Sequence, residues 1–386
     1  MHTVIIGGGF AGVKAALELD KQNIGNVTLI SDEPYFLHHA TLYATATGKS
    51  RAESIIPLTE LFANSPRVTI VQDTMKSIDP DRKLIVGADK SYSYDNLVLA
   101  IGSVTTYFNI EGMAKHAYGI KSLDEINEFI GHLRQEVTTQ KHLDKNYFVI
   151  GAGPTGIELA SALDEYLKEL KQSNKDLVGK VNITVVEAAP RIIPRSSDTA
   201  ARIVKKRLLK MGVHVLTNHK VEALDDDFIT IDGKKVPTET AVWTSGVANH
   251  PFFATHGHFF KLAPNGRVIV NQYLEGYRNI YVIGDNNTVK YSGMAWPALE
   301  QGEFIARHLA RIMRDKPVRA FKPSQPPSGL PVGKGWGYVE WHGLYVSGRS
   351  GYIARRLMEL YDYAQVLPWT KAVAIWRSHD IPQINE

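Results

Sequence analysis

Two glycine triplets share one spacing: Gly7, Gly9 and Gly12 near the start of the chain, and Gly151, Gly153 and Gly156 near its middle. Each suits a turn that cradles a pyrophosphate. The first glycine permits the tight turn, the second lets the backbone approach the phosphate, and the third allows the following helix to pack closely. The phosphate then rests on the helix N-terminus, where unpaired N–H groups and the helix dipole favour an anion. Phe10 and Ala11 in the first turn, and Pro154 and Thr155 in the second, are candidate contacts of the same kind. Glycine turns are common, so the spacing alone says little. The context adds weight, because each triplet follows an apolar strand (3–6 and 147–150) and opens a helix (13–19 and from 157). Bare turns without a ligand are the bland alternative.

Carboxylates after the next strands fit the same chemistry. Glu187 closes the strand 183–186, where an acid accepts a hydrogen bond from a ribose 2′-hydroxyl and repels a 2′-phosphate, so the second site should prefer NADH to NADPH. Arg191, close by, works against that preference. In the first copy the strand 27–30 ends on Ser31 with Asp32 next, and either residue is a candidate ribose contact. Gly284-Asp285 follows the strand 280–283; Asp285 would bond the ribityl chain of a flavin or simply cap a helix.

The surrounding elements form an approximate internal repeat of strand, glycine turn, helix and strand, separated by short strands at 68–71, 83–86 and 97–101. Strands at 213–216, 228–231 and 241–244 follow the second copy, then a helix near 298–313 and a proline-rich linker at 322–327. At 386 residues the chain has room for two nucleotide domains and an appendage. Its 44% hydrophobic and 22% charged residues are those of a folded globular protein, and a net charge of +4 is too small to imply nucleic acid. Cysteine is absent, which removes redox dithiols, thiolate nucleophiles and cysteine-held metal centres. If the protein moves electrons, they must therefore leave a flavin directly for a diffusible acceptor. No apolar run approaches the ~20 residues that span a bilayer, and strand 3–6 leaves no room for a signal peptide, so the expectation is a cytoplasmic, at most peripheral protein.

Taken in order, these motifs resemble the two-dinucleotide-binding flavoprotein reductases over about residues 1–315. The stretches 97–102 and 242–246, ending on Gly102 and Gly246, are similar to their crossings between an FAD and an NAD domain. Three segments look like type II NADH dehydrogenases: YDNLVLAIGSVT at 94–105, LYATATG at 42–48 and GIKSL at 119–123. The resemblance implies an α/β fold of two Rossmann-like domains, binding FAD and NADH. It places the FAD domain at 1–112 and 247–325 and the NADH domain at 113–246, and the remainder, 326–386, is expected to be a small C-terminal amphipathic helical segment for membrane association or dimerisation. It also implies hydride transfer from NADH to FAD and two electrons passed to a membrane quinone, without metal centres or proton pumping.

The chain departs from that family's AQxAxQ motif. It reads Ala295-Trp296-Pro297-Ala298-Leu299-Glu300, then Gln301, with Trp296 and Glu300 in place of the glutamines. Trp296 offers an aromatic wall for a planar head group, and Gln301 a polar contact. Glu158 resembles the family's glutamate beside nicotinamide and flavin. A shielded carboxyl there would have a raised pKa and relay a proton, and its bland role is to complement the helix dipole. Lys334 is a candidate acceptor-side charge or a solvated lysine; His38 and His39 read as structural.

The last segment pairs two amphipathic stretches. Ile353, Leu357, Leu360, Tyr361, Ala364 and Leu367 recur at helical spacing, with Arg355, Arg356, Glu359 and Asp362 mostly on other faces. Pro368 breaks the helix, and Trp369, Val373 and Trp376 follow beside Lys371 and Arg377. Such a pair suits the cytoplasmic face of the cell membrane, or else burial against the protein or a second copy. A soluble reductase using oxygen or a small redox protein, and a nucleotide-sensing interaction protein with little turnover, are the rival functions.

Overall fold

The structure, a computed structural model, describes residues 1–380; positions 381–386 of the expected C-terminal segment lie outside the described residues. Two parallel sheets carry the molecule. The first has six strands in the order Glu275–Tyr277, Ile280–Val282, Asn96–Leu99, His2–Ile6, Asn26–Ser31 and Val68–Gln72. All neighbours run parallel except the first pair. The second, also parallel, orders His214–Thr217, Ile183–Glu187, Tyr147–Ile150 and Thr240–Trp243. Tyr147–Ile150 and Thr240–Trp243 are buried from end to end, because helices cover one face of this sheet and a three-stranded antiparallel sheet of Val221–Leu224, Phe228–Ile231 and Lys234–Pro237 covers the other; this is why they read as apolar runs rather than alternating ones.

Register aligns the strand ends. Ile6 lies opposite Ile30 and Leu99, and Leu99 opposite Val282, so the loops at 7–9, 31–32, 100–103 and 283–286 emerge at one edge of the first sheet. Ligands of parallel α/β sheets bind at this carboxyl edge. Ile150, opposite Val186 and Trp243, does the same for the second. The two crossing segments pair with each other, Ser103–Thr105 antiparallel to Val247–Asn249.

The helix Phe10–Gln22 packs along Ala295–Met313, with a close approach at Gly302, where a Cβ would fall 2.5 Å from the Ala11 carbonyl. After the extended stretch at 316–327 the chain adds a feature absent from the sequence reading, a three-stranded antiparallel sheet of Ser328–Pro331, Gly337–Trp341 and Leu344–Gly348. The expected helices follow as Arg349–Val366 and Trp369–Arg377, divided at Pro368. The first of them is turned the other way from a simple amphipathic expectation. Arg355, Arg356 and Glu359 face inward at 5%, 8% and 0% exposure, while Ile353, Leu357 and Tyr361 stand 59%, 53% and 43% exposed. Leu367 is buried with Val366 and Tyr363 in the first domain's core.

Candidate active site

The two glycine turns are built alike. Gly7 and Gly151 sit at φ +114° and +107°, a region that L-side chains avoid. A Cβ on Gly12 would lie 2.0 Å from the Gly7 carbonyl, and one on Gly156 1.9 Å from the Gly151 carbonyl, so both helices approach their own loops more closely than alanine allows. The middle glycines differ in the opposite sense: a Cβ on Gly9 or Gly153 meets nothing within 4 Å. Those two glycines are also the N-caps of the helices Phe10–Gln22 and Pro154–Ser173, and neither helix has a side-chain cap. Both N-termini therefore face open space with donors to spare, which fits the phosphates of a dinucleotide. Phe10 and Ala11 are buried in the first turn, Phe10 with its ring edge against Phe36, whereas Pro154 and Thr155 lie at the rim of the second.

The strand-end carboxylates differ between the copies. Glu187 Oε2 accepts the Ala152 N–H at 2.8 Å and Oε1 the Ala189 N–H at 2.8 Å, bracing the second glycine turn and leaving lone pairs for ribose hydroxyls. In the first copy Ser31 is buried beneath the turn, where a Cβ on Gly8 would fall 2.6 Å from its hydroxyl, and Asp32 is exposed.

Asp285 is half-buried at the carboxyl edge of the first sheet, its Oδ2 accepting the Ser103 hydroxyl at 3.1 Å. Neighbours that the sequence reading passed over hold its loop. Asn286 accepts the Gly102 N–H at 2.9 Å and donates to the Gly102 carbonyl at 2.6 Å. Asn287 donates to Gln301 Oε1 at 2.7 Å, and the same oxygen accepts the Gly284 N–H at 2.9 Å. Gln301 is thus corrected from a contact for the acceptor to a buried brace for the Asp285 loop. Gly102 has open space above it, with nothing within 4 Å of a Cβ; Gly246 is closed by Phe108 and the Thr106 carbonyl. The run Gly284-Asp285-Asn286-Asn287 was the available signal for this bracing.

Glu158 lies in the first turns of the helix Pro154–Ser173 and is buried at 6% exposure. Its Oε1 stands 3.8 Å from Arg355, which pairs more closely with Glu359 at 3.0 Å. Arg356 bridges Glu359 and Glu53, the latter at 2.7 Å, and His379 approaches the other Glu53 oxygen at 2.7 Å. Burial raises the Glu158 pKa to about 8; Arg355 opposes this and Glu359 adds to it. Burial also holds the Tyr43 phenol beside it well above its ordinary range. Glu158 is therefore a proton-carrying acid at neutral pH, beside a guanidinium and a phenol.

On the helix Ala295–Met313, Ala295 begins the first turn, which has no side-chain cap, and Ala298 is packed into the core. Trp296 is half-buried and stacks on Tyr361 at 4.8 Å and 18°, so one face of the expected wall is covered by the C-terminal helix. Its indole nitrogen and Glu300 Oε2 are buried without hydrogen-bond partners among the described residues, an orphaned donor and acceptor one turn apart. The other Glu300 oxygen accepts from Ser324. Lys334 is exposed, and among the described residues it is anchored through its backbone N–H, which donates to Glu165 at 2.7 Å, as a solvated lysine would be. His38 stacks on Tyr363 at 4.4 Å, and burial lowers its pKa to about 3, so it is a neutral packing residue. His39 Nδ1 lies 3.1 Å from the Leu37 carbonyl.

Comparison with known proteins places this geometry. Residues 1–302 match the family described as pyridine nucleotide-disulphide oxidoreductase. The type II NADH:quinone oxidoreductase of Staphylococcus aureus (strain NCTC 8325 / PS 47) is 27% identical over 378 residues, which cover 92% of this chain and 93% of that protein. Among solved structures, NDH2 from Plasmodium falciparum in complex with NADH superposes with a TM-score of 0.86 at 18% identity, covering 98% of this chain and 97% of the other. The sulfide:quinone oxidoreductase from Aquifex aeolicus gives 0.76 at 19%, covering 97% and 92%. These structural likenesses carry the fold, a pair of Rossmann-like dinucleotide-binding units. With no cysteine, this chain lacks the residues for disulphide exchange. By the match that runs through both glycine turns and the Asp285 loop, the chain belongs to the pyridine nucleotide-disulphide oxidoreductase family.

Proposed function

We propose that this protein is a type II NADH:quinone oxidoreductase, with FAD on the first nucleotide unit and NADH on the second. The duplicated cradle carries the reading: two strand–glycine turn–helix units, each with an uncapped helix N-terminus opening on free space. Gly7, Gly9, Phe10, Ala11, Gly12, Asp32, Gly102, Gly284, Asp285 and Ala295 hold FAD, with Ser31 supporting the turn from below. Gly151, Gly153, Pro154, Thr155, Gly156, Glu187 and Gly246 hold NADH. The FAD domain comprises 1–112 and 247–325, the NADH domain 113–246, and 326–386 is a docking segment. FAD held there would supply two-electron chemistry, taking hydride from NADH and passing two electrons and one proton to a quinone, whose second proton is left to the protein. Glu158 keeps a proton at neutral pH and releases it to the reduced acceptor, with Arg355 steadying the carboxylate left behind. Trp296 Nε1–H, a buried donor without a partner among the described residues, bonds an acceptor carbonyl in place of the missing glutamine.

Long-chain quinones partition into lipid, so an enzyme that reduces them must meet the bilayer. No described helix is long and apolar enough to cross a membrane. The outward stripe of Ile353, Leu357 and Tyr361, with Leu344 at 79% and Trp369 at 61% exposure, supports peripheral docking on the cytoplasmic face, where NADH is supplied. Steady-state NADH oxidation with a panel of quinones, ferricyanide and oxygen tests the reading. Turnover with quinones well above that with oxygen is expected; oxygen as the faster acceptor identifies a soluble oxidase, and negligible turnover with every acceptor a nucleotide-sensing protein.

A further inference from the structure

Lys121 belongs to the segment that leaves the first nucleotide unit for the second, just before the helix Leu123–Gln135, and no role above uses it. Its ammonium turns back to the carboxyl edge of the first sheet. Nζ donates to the Ser103 carbonyl at 2.6 Å and lies 3.2 Å from the Ser103 hydroxyl, which in turn donates to Asp285 Oδ2. The backbone is fixed to aim it. Ser122 and Glu125 form a capping box, and Glu125 Oε2 accepts the N–H groups of Lys121 at 2.5 Å and Ser122 at 3.2 Å. At Gly119 a Cβ would fall 2.4 Å from the Glu125 carboxyl carbon, so even this turn is shaped around the brace. Glu125 is therefore committed to the backbone.

An ammonium carries three N–H donors. Ser103 takes up at most two of them, both on neutral oxygens, and among the described residues no carboxylate lies within salt-bridge distance. Burial makes the charge costly, lowering the Lys121 pKa, while Asp285 and Glu125 oppose that shift from a distance. A half-desolvated cation with an open donor is expensive unless something completes it. Next to Ser103, the space above Gly102 is free. We propose that Lys121 is a cofactor-binding residue, whose remaining N–H is directed to FAD and whose charge favours the reduced flavin. This rests on the FAD reading given above. Hydride uptake adds negative charge to the cofactor, and a fixed cation in a partly dry site favours the charged form over the neutral one.

The test is the flavin midpoint potential and the FAD dissociation constant of full-length wild type, K121M and K121R. K121M is expected to shift the reduced-to-oxidised balance at least tenfold toward oxidised flavin, about 30 mV for a two-electron couple, and to weaken FAD binding by about tenfold or more. K121R should restore both, since the charge is kept. An unchanged potential in K121M, or FAD loss with an unchanged potential in the fraction still loaded, overturns the proposal by reducing Lys121 to a structural role. If K121M retains too little FAD to titrate, K121R decides, because a potential displaced tenfold despite the kept charge is contradictory and a wild-type potential is supporting. A wild type that binds no FAD is a different result and fails the underlying reading.

Discussion

Three buried glutamates, Glu53, Glu158 and Glu359, share two guanidiniums, and Glu158 has the longest contact, 3.8 Å to Arg355. Burial raises its pKa, so it holds a proton at neutral pH. Its pKa of about 8 in the fold lies above its ordinary 4.5, so the folded state binds the proton more tightly than the unfolded chain. The stabilising contribution is then complete below about 4.5 and is lost as the pH rises toward about 8. Replacing Glu158→Gln should flatten that part of the stability profile, read as melting temperature against pH. It should also slow quinone reduction by about 10²-fold or more, while NADH still bleaches the flavin at a near wild-type rate. Equal losses in both half-reactions would mean that Glu158 positions NADH instead. Glu187 carries a separate expectation: Glu187→Ala should raise the KM for NADH by about tenfold and narrow the preference over NADPH, since a charged hydrogen-bond acceptor is lost.

At the scale of elements, the glycine turns were legible because their constraints are local. The carbonyl that excludes a Cβ from Gly12 belongs to Gly7, five residues away, and the same holds for Gly156 and Gly151. The inward charges of the helix Arg349–Val366 were not legible, since their partners are remote. Arg356 and Glu53 are 303 positions apart, and a helix read alone sends such residues to water. Gln301 was hidden at shorter range, because its partners Gly284 and Asn287, 17 and 14 positions earlier, sit on another element. The strands at 328–348 are short and interrupted by glycines, which left only a compositional change to notice. Because Arg356 joins Glu53 to Glu359 in a buried site, Arg356→Met leaves Glu53 with His379 alone and Glu359 with Arg355 alone. Loosening worth about 3–5 kcal/mol is expected. It should appear as faster proteolysis between residues 326 and 380 and a lower melting temperature, and Glu53→Gln in the same chain should recover part of the loss.

At the scale of the molecule, the proposed function asks two nucleotide units, a buried acid and an apolar outer stripe to serve one route, from NADH to a lipid-soluble acceptor. Leu344→Asp with Leu357→Asp should lower sedimentation with anionic liposomes and the rate with long-chain quinone together, leaving ferricyanide reduction unchanged. If the stripe instead joins two copies of the chain, the same changes will convert dimer to monomer without altering liposome binding. The most direct test of the central claim is an anaerobic double-mixing experiment on the FAD-loaded, full-length protein. One equivalent of NADH should bleach the oxidised-flavin absorbance, and a following equivalent of quinone should restore it with no oxygen present. A flavin that NADH does not bleach, or one that quinone does not reoxidise while oxygen does, would contradict it.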